Sequence, residues 1–411
     1  VVITGMGVVS PIGNNVNDYW TNLTKGVNGI DNITLFDASD LEVKIAGEIK
    51  NLDFESYLDK KSLNRMDRFT ILAMIATQEA VKQSSISNNP KIDLNRVGVI
   101  VGSGIGGINT FSEQHVKLLK NPKRVSPFFI PALISDIASG HISIKYGFKG
   151  PNYGIVSACA TATHAIGNAF RTIQSGDADI IISGGSEASI HPLAIAGFSN
   201  MKALSKNTNP SNASRPFDLN RDGFVLSEGA GIIILEEYTH AIKRDIPILG
   251  EIIGYSATAD AYHLTSPAPN GEGAAQAMIN AINDANISIY DINYINAHGT
   301  STPYNDKNET SAIKMVFKEH AKSLYVSSSK SMTGHLLGAA GGIEAIACIR
   351  TALDNIIPPT INYKDKDPLC DLNYVPNKSK KINVDFTISN TFGFGGHNAV
   401  ICIRKYIWNC S

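Results

Sequence analysis

The sequence lacks any run able to span a membrane. Its longest apolar stretches, such as residues 180–182 and 232–235, are strand length, against the ~18 residues that crossing a bilayer takes. It also lacks an excess of one charge: 36 Lys and Arg stand against 37 Asp and Glu, so neither nucleic acid nor a membrane surface is implied as main partner. Cysteine is scarce. Cys159, Cys348, Cys370, Cys402 and Cys410 form no CxxC pair and are odd in number, which argues against a disulfide framework and for a reducing compartment. No His or Cys set has zinc-ligand spacing. What remains is the composition of a soluble globular protein, 411 residues and 43% hydrophobic, with material for a large core and two or three domains. The chain opens directly on a strand, so any leader is expected to be already removed or never present.

Chemistry first shows in residues 152–170, NYGIVSACATATHAIGNAF. Tyr153, Ile155 and Val156 read as a short buried strand, and from Ala158 the chain takes helical spacing. Cys159 is thus expected at a strand-to-helix junction, where unpaired N–H groups and the helix dipole lower a thiol's pKa and can hold an oxyanion. A lone cysteine is equally well a small buried residue, so its partners decide.

Elsewhere the chain alternates strands and helices. Asn17 is expected to cap a helix that Gly26 stops, and residues 131–146 read as one helix. Gly102, Gly104 and Gly107 fit G-x-G-x-x-G, but no second strand ending in an acid follows about 20 residues on, which argues against a dinucleotide site. Those glycines are better read as close-approach positions. Residues 180–183 read as a strand closed by Gly184 and Gly185. Arg215, Asp218, Arg221 and Asp222 read as a salt-bridged surface loop. IVSACATATHAIGNAF and YVSSSKSMTGHLLGAAGGIEAIACI are each a strand, a reactive side chain and a helix of Ala, Gly and Ile. A helix apolar all round is buried. The expectation is a duplicated α/β fold, with halves 1–245 and 246–411, small-residue helices at the centre and reactive groups at the carboxyl ends of strands.

The second half supplies His298, after the strand 294–297 and held by Gly299 and the hydroxyls of Thr300 and Thr302, and His335, ahead of the second buried helix. One histidine is usually a satisfied core residue; two at strand-end, glycine-flanked turns point to function. Residues 327–330 spell S-x-x-K but lack the companion motifs of serine acyl-enzymes. Glu344 lies in an apolar helix, where a carboxylate needs a partner, and Lys330 is the cation to pair with it.

The motifs VVITGMGVVSPIG, VGSGIGG, SPFFIP, GIVSACATATHAIG, IISGGSEA, SRPFDLNRDGFVLSEGAG, DAYHLTSPAPNGEGA, NAHGTSTPYND, SSSKSMTGHLLGAAGGIEA and ISNTFGFGGHNA run in order along almost the whole chain. On them the chain resembles the elongating β-ketoacyl-[acyl-carrier-protein] synthases, closest to the synthase II type. The resemblance implies a thiolase-like duplicated α-β-α-β-α layered fold and a homodimer. It also implies decarboxylative condensation of an acyl group on Cys159 with malonyl-acyl carrier protein, elongating fatty acids in a dissociated system. His298 and His335 would complete a catalytic triad supported by Lys330 and Glu344, with Phe392 at the oxyanion hole and, with Ile105, at the acyl gate. Thr300 and Thr302 would bind the pantetheine arm. No cofactor is implied beyond the carrier's phosphopantetheine, though Asn296, Glu344, Ser389 and Asn390 match a site for a monovalent cation. Lys61, Arg65, Lys123, Arg124 and Lys206 match basic positions facing the acidic carrier. Ser227 stands where Gly is common and Tyr304 where Leu is usual. The compartment would be a bacterial cytoplasm or a plastid-like organelle.

Overall fold

The alternating strands and helices assemble, in a computed structural model describing residues 1–87 and 89–407, around one ten-stranded sheet. In chain order its strands are β1 Val2–Val9, β2 Val97–Gly102, β3 Asn152–Tyr153, β4 Ile180–Glu187, β5 Gly229–Glu236, β6 Gly250–Ala259, β7 Tyr294–Asn296, β8 Tyr325–Ser327, β9 Phe386–Gly393 and β10 His397–Arg404. The sheet order is β8-β7-β9-β10-β6-β1-β5-β4-β2-β3. Read outward from the middle, each half repeats the other. β1–β5 and β5–β4 are antiparallel while β4–β2 and β2–β3 are parallel. β6–β10 and β10–β9 are antiparallel while β9–β7 and β7–β8 are parallel. The duplication is therefore carried in strand order and sense. The halves join where β1 meets β6, Val2 opposite Glu251 and Ile3 opposite Gly250.

The helices α1 Val16–Lys25, α2 Arg68–Ser84, α3 Ile108–Lys120, α4 Thr161–Gln174, α5 Glu272–Asp284, α6 Pro303–Phe317 and α7 Ala340–Asp354 complete the layers. α4 and α7 lie at the centre, each touching strands of both halves, while α2 covers β1 and β5 and α5 covers β6 and β10. The sheet thus wraps around two helices, and small residues allow it. A Cβ on Gly342 would fall 2.3 Å from the Gly231 carbonyl oxygen of β5, and one on Gly167 would enter the Tyr255 ring. Interiors at native density cannot absorb such overlaps.

Several local expectations give way to tertiary context. Asn15, not Asn17, caps α1, accepting from the Asp18 N–H at 2.9 Å, while Gly26 (φ +73°) ends it. Residues 131–146 split into Phe129–Leu133 and Ile137–Tyr146, because Ile134 turns extended between them. Ile155 and Val156 are not in a strand; β3 is only Asn152 and Tyr153, and both are exposed. β4 runs on through Gly184 and Gly185 to Glu187, since the partner backbones approach too closely for a Cβ at either position. Arg221 and Asp218 are not on the surface but buried, because they tie two distant loops together. The glycines of VGSGIGG do allow close approach. A Cβ on Gly102 would stand 2.5 Å from the Ile155 carbonyl oxygen, and one on Gly104 2.7 Å from the Glu187 carboxylate.

Cys159, Cys348, Cys370 and Cys402 are buried and unpaired; Cys410 lies outside the described residues. Among the described residues no helix is long and apolar enough to cross a membrane.

Candidate active site

Cys159 sits in a single 3-10 turn, Ala158–Ala160, that leads into α4. Ala158 takes φ +50°, a conformation L-residues avoid, immediately before Cys159, and both line the same cavity. His298 follows the carboxyl end of β7, the place where parallel strands present reactive groups. Its own N–H and that of Gly299 donate to the Glu309 carboxylate at 2.9 and 2.8 Å. That carboxylate, rather than the Thr300 and Thr302 hydroxyls, holds the turn. His335 lies between Gly334 (φ +69°) and the turn opening α7; its N–H donates to the Val225 carbonyl at 2.8 Å and its own carbonyl accepts from Ser227 N–H at 3.0 Å.

The three side chains meet on one cavity of about 490 Å³. His335 Nε2 is 3.1 Å from the Cys159 sulfur, and the two imidazoles meet edge to face at 5.4 Å. Ile105, Thr300, Thr302 and Phe392 line the same cavity, with the Phe392 ring against His298 at 5.9 Å. Lys330 pairs with Glu344 just behind it, both almost wholly buried. That pairing, and Ser327's hydroxyl bond to Tyr294, remove the S-x-x-K reading.

Electrostatics separate these groups. Burial, then the Lys330 ammonium, hold both imidazoles well below the usual histidine range, so both are neutral at physiological pH. The thiol departs from expectation. Burial pushes it up to about 11, against which the Lys330 charge and the Phe394 N–H work. A single turn at the start of α4 does not outweigh desolvation, and Cys159 rests as a thiol beside a neutral imidazole. The second backbone N–H facing the sulfur is Phe394's, two residues on from Phe392.

Other residues were not singled out by the sequence. The Glu187 carboxylate is fully buried and gathers the N–H groups of Gly104, Ile105 and Gly338. It ties the Ile105 loop to the start of α7, and an acid ending an apolar strand was its only signal. Lys202 lines the cavity, whereas the expected Lys206 pairs with Glu42 at 2.5 Å. Lys61, Lys123 and Arg124 are exposed, and Arg65 stacks on Phe128 at 4.4 Å, which sets the two basic segments side by side. All four cation-site positions, Asn296, Glu344, Ser389 and Asn390, bury an oxygen with no partner among the described residues, and Asn296 pairs with Ser389 across β7–β9. Asn390, next along the strand, turns its amide to Glu309 on the other face. Three of the four donors fit a cation. Ser227 is buried, its hydroxyl bonded to the Gly47 carbonyl, and Tyr304 is exposed on the cavity rim.

Comparison with known proteins agrees with this geometry. Residues 1–241 match the model "Beta-ketoacyl synthase, N-terminal domain" and residues 249–364 "Beta-ketoacyl synthase, C-terminal domain". A 3-oxoacyl-[acyl-carrier-protein] synthase 2 of Staphylococcus aureus is 53% identical over 407 residues, covering 99% of this chain and 98% of its own. One from Synechocystis is 50% identical over 408 residues, with 99% and 98% covered. Among solved structures, a ketosynthase in complex with its type II PKS acyl-carrier protein superposes with a TM-score of 0.91 at 33% identity, and a β-ketoacyl synthase of Burkholderia phymatum with 0.91 at 31%; each comparison covers 99% of both chains. A cysteine on one repeat, two neutral imidazoles on the other and this agreement along nearly the full length lead to one conclusion: the chain belongs to the β-ketoacyl synthase family.

Proposed function

We infer that this acyltransferase elongates fatty acids on acyl carrier protein by decarboxylative Claisen condensation, with Cys159, His298 and His335 doing the chemistry. The observation that carries the assignment is the 3.1 Å contact between the Cys159 sulfur and an imidazole that burial keeps neutral. As the sulfur attacks an acyl thioester, its proton passes to His335 Nε2. The tetrahedral oxyanion develops against the N–H groups of Cys159 and Phe394. Collapse expels the carrier thiolate, which takes the proton, because an imidazolium beside Lys330 is unfavourable. Malonyl-carrier protein then loses carbon dioxide, so no strong base is needed. The enolate oxygen is met by the N–H of His298 and by that of His335 once its ring proton has moved to Nε2, each donor worth about 3 kcal/mol. Attack of the enolate carbon on acyl-Cys159 releases 3-oxoacyl-carrier protein and returns the sulfur as a thiolate, which takes up one proton from solvent, the proton that the overall reaction consumes.

Thr300 and Thr302 bind the pantetheine arm, Ile105 and Phe392 shape the acyl end, and no cofactor takes part. A monovalent cation fits Asn296, Glu344 and Ser389 as a structural support behind Lys330. The acidic carrier docks on Lys61, Arg65, Lys123 and Arg124, with Lys202 at the rim; the ketosynthase solved with its carrier supports this partner. The chain pairs with a second copy through β3, a short edge strand flanked by exposed Ile130, Ile144 and Val156. A reducing cytoplasm or plastid-like compartment suits its four unpaired described cysteines.

A thiolase would need a second cysteine at the site, and among the described residues only Cys159 lines the cavity. The test is formation of 3-oxoacyl product from acyl-carrier proteins of graded length, with carbon dioxide counted. Cys159→Ala should abolish product, and His298→Ala should leave Cys159 acylation while stopping carbon dioxide release. Product without carbon dioxide, or product from Cys159→Ala, would overturn the assignment.

A further inference from the structure

The pantetheine side of the cavity ends on a turn that the chain does not adopt cheaply. Ser301, between Thr300 and Thr302, is fully buried at φ +68°. On either side of it the two threonine hydroxyls lie 2.9 Å apart on the cavity wall. A serine in that conformation persists only where its surroundings fix it. Here the surroundings are residues 215–223 of the other half. The Ser301 carbonyl accepts from Gly223 N–H at 3.0 Å, and its hydroxyl oxygen accepts from Arg215 N–H at 3.0 Å. Arg221 completes the hold: Nε–H donates to the Thr302 carbonyl at 3.2 Å, one terminal nitrogen to the Pro303 carbonyl at 3.1 Å, and the other to Asp367 at 2.6 Å and the Asp218 carbonyl at 2.8 Å. Asp306, 3.5 Å from Nε, also accepts the Phe217 N–H at 2.8 Å. The guanidinium is 5% exposed, so this is a built core and not a rim charge.

We propose that Arg221 is a positioning residue for substrate binding: it locks the strained turn at 300–302 so that two hydroxyls face the pantetheine arm as a preformed pair. The geometry suits arginine alone, since a planar fork can hold two successive carbonyls and a carboxylate at once, which an ammonium cannot. The proposal rests on the reading that Thr300 and Thr302 meet the arm. A preformed pair spares the cost of ordering the turn on binding, so the clamp should show in KM and not in the cysteine chemistry.

The test is steady-state kinetics with malonyl-carrier protein beside the rate of Cys159 alkylation by iodoacetamide. Arg221→Lys should raise KM about tenfold while kcat and alkylation stay within about twofold. Adding Ser301→Gly to that variant should bring KM part of the way back toward the parent value, because glycine holds φ +68° without strain although it gives up the bond from Arg215 N–H. A merely structural arginine would not be rescued by one glycine. Unchanged KM in Arg221→Lys, or no rescue by Ser301→Gly, overturns the proposal. Should Arg221→Lys fail to fold, Asp367→Asn loosens the same guanidinium from its more exposed side and must raise KM in the same direction; unchanged KM there overturns it too. Thr300→Val with Thr302→Val separates the two readings. If that pair leaves KM unchanged, the threonine assignment falls and the clamp with it. If the pair raises KM and Arg221→Lys does not, only the clamp falls.

Discussion

At Cys159 reactivity depends on where a proton can go. A thiol held up at about 11 by burial reacts slowly with reagents that need the thiolate, and its alkylation by iodoacetamide in the free enzyme should rise about tenfold per pH unit toward that value. A rate already flat from about pH 7 would mean a resting thiolate. The imidazoles behave in the opposite sense. Both are depressed by burial and by Lys330, so carbon dioxide release from malonyl-carrier protein by Cys159→Ala should be level between about pH 6 and 8. Replacing Lys330 by Met together with Glu344→Gln removes the cation without leaving a buried carboxylate unpaired. The imidazoles then become more basic, and the acid limb of that profile moves to higher pH. That Cys159, His298 and His335 come together was legible in the sequence because each sits at a turn flanked by glycine or small polar residues, His298 just past the end of a strand. Glu187 and Phe394 were not, since what they meet comes from segments far along the chain, and Glu309 was not, since only the turn after β7 brings the N–H groups of His298 and Gly299 back onto α6.

Helices and strands record the duplication more plainly than any residue does. α4 and α7 were readable as buried from their Ala, Gly and Ile, whereas the kinked region 131–146 and the long β4 depended on neighbours that local spacing does not report. The polar loop carrying Arg221 misled for the same reason: its composition is that of a surface, but its charges pair across the two repeats. The close approach of α7 to β5 yields a direct prediction. Gly342→Ala places a methyl 2.3 Å from the Gly231 carbonyl oxygen, and neither backbone can retreat. Thermal unfolding should report a loss of about 1–3 kcal/mol or more, with activity falling because His335 stands at the start of that helix. Asn15→Ala removes only the cap of α1 and should cost about 1 kcal/mol with kinetics unchanged.

For the molecule as a whole, the unpaired outer edge of β3 and the apolar residues around it predict assembly. Val156→Lys with Ile144→Lys should shift sedimentation from dimer to monomer, and an unaltered profile would place the contact elsewhere. The cavity takes its sulfur from the first repeat and both its imidazoles from the second repeat of the same chain. Neither repeat duplicates what the other contributes. A protein damaged at Cys159 and another damaged at His298 therefore have nothing to lend each other: mixed and allowed to exchange subunits, two dead enzymes should stay dead.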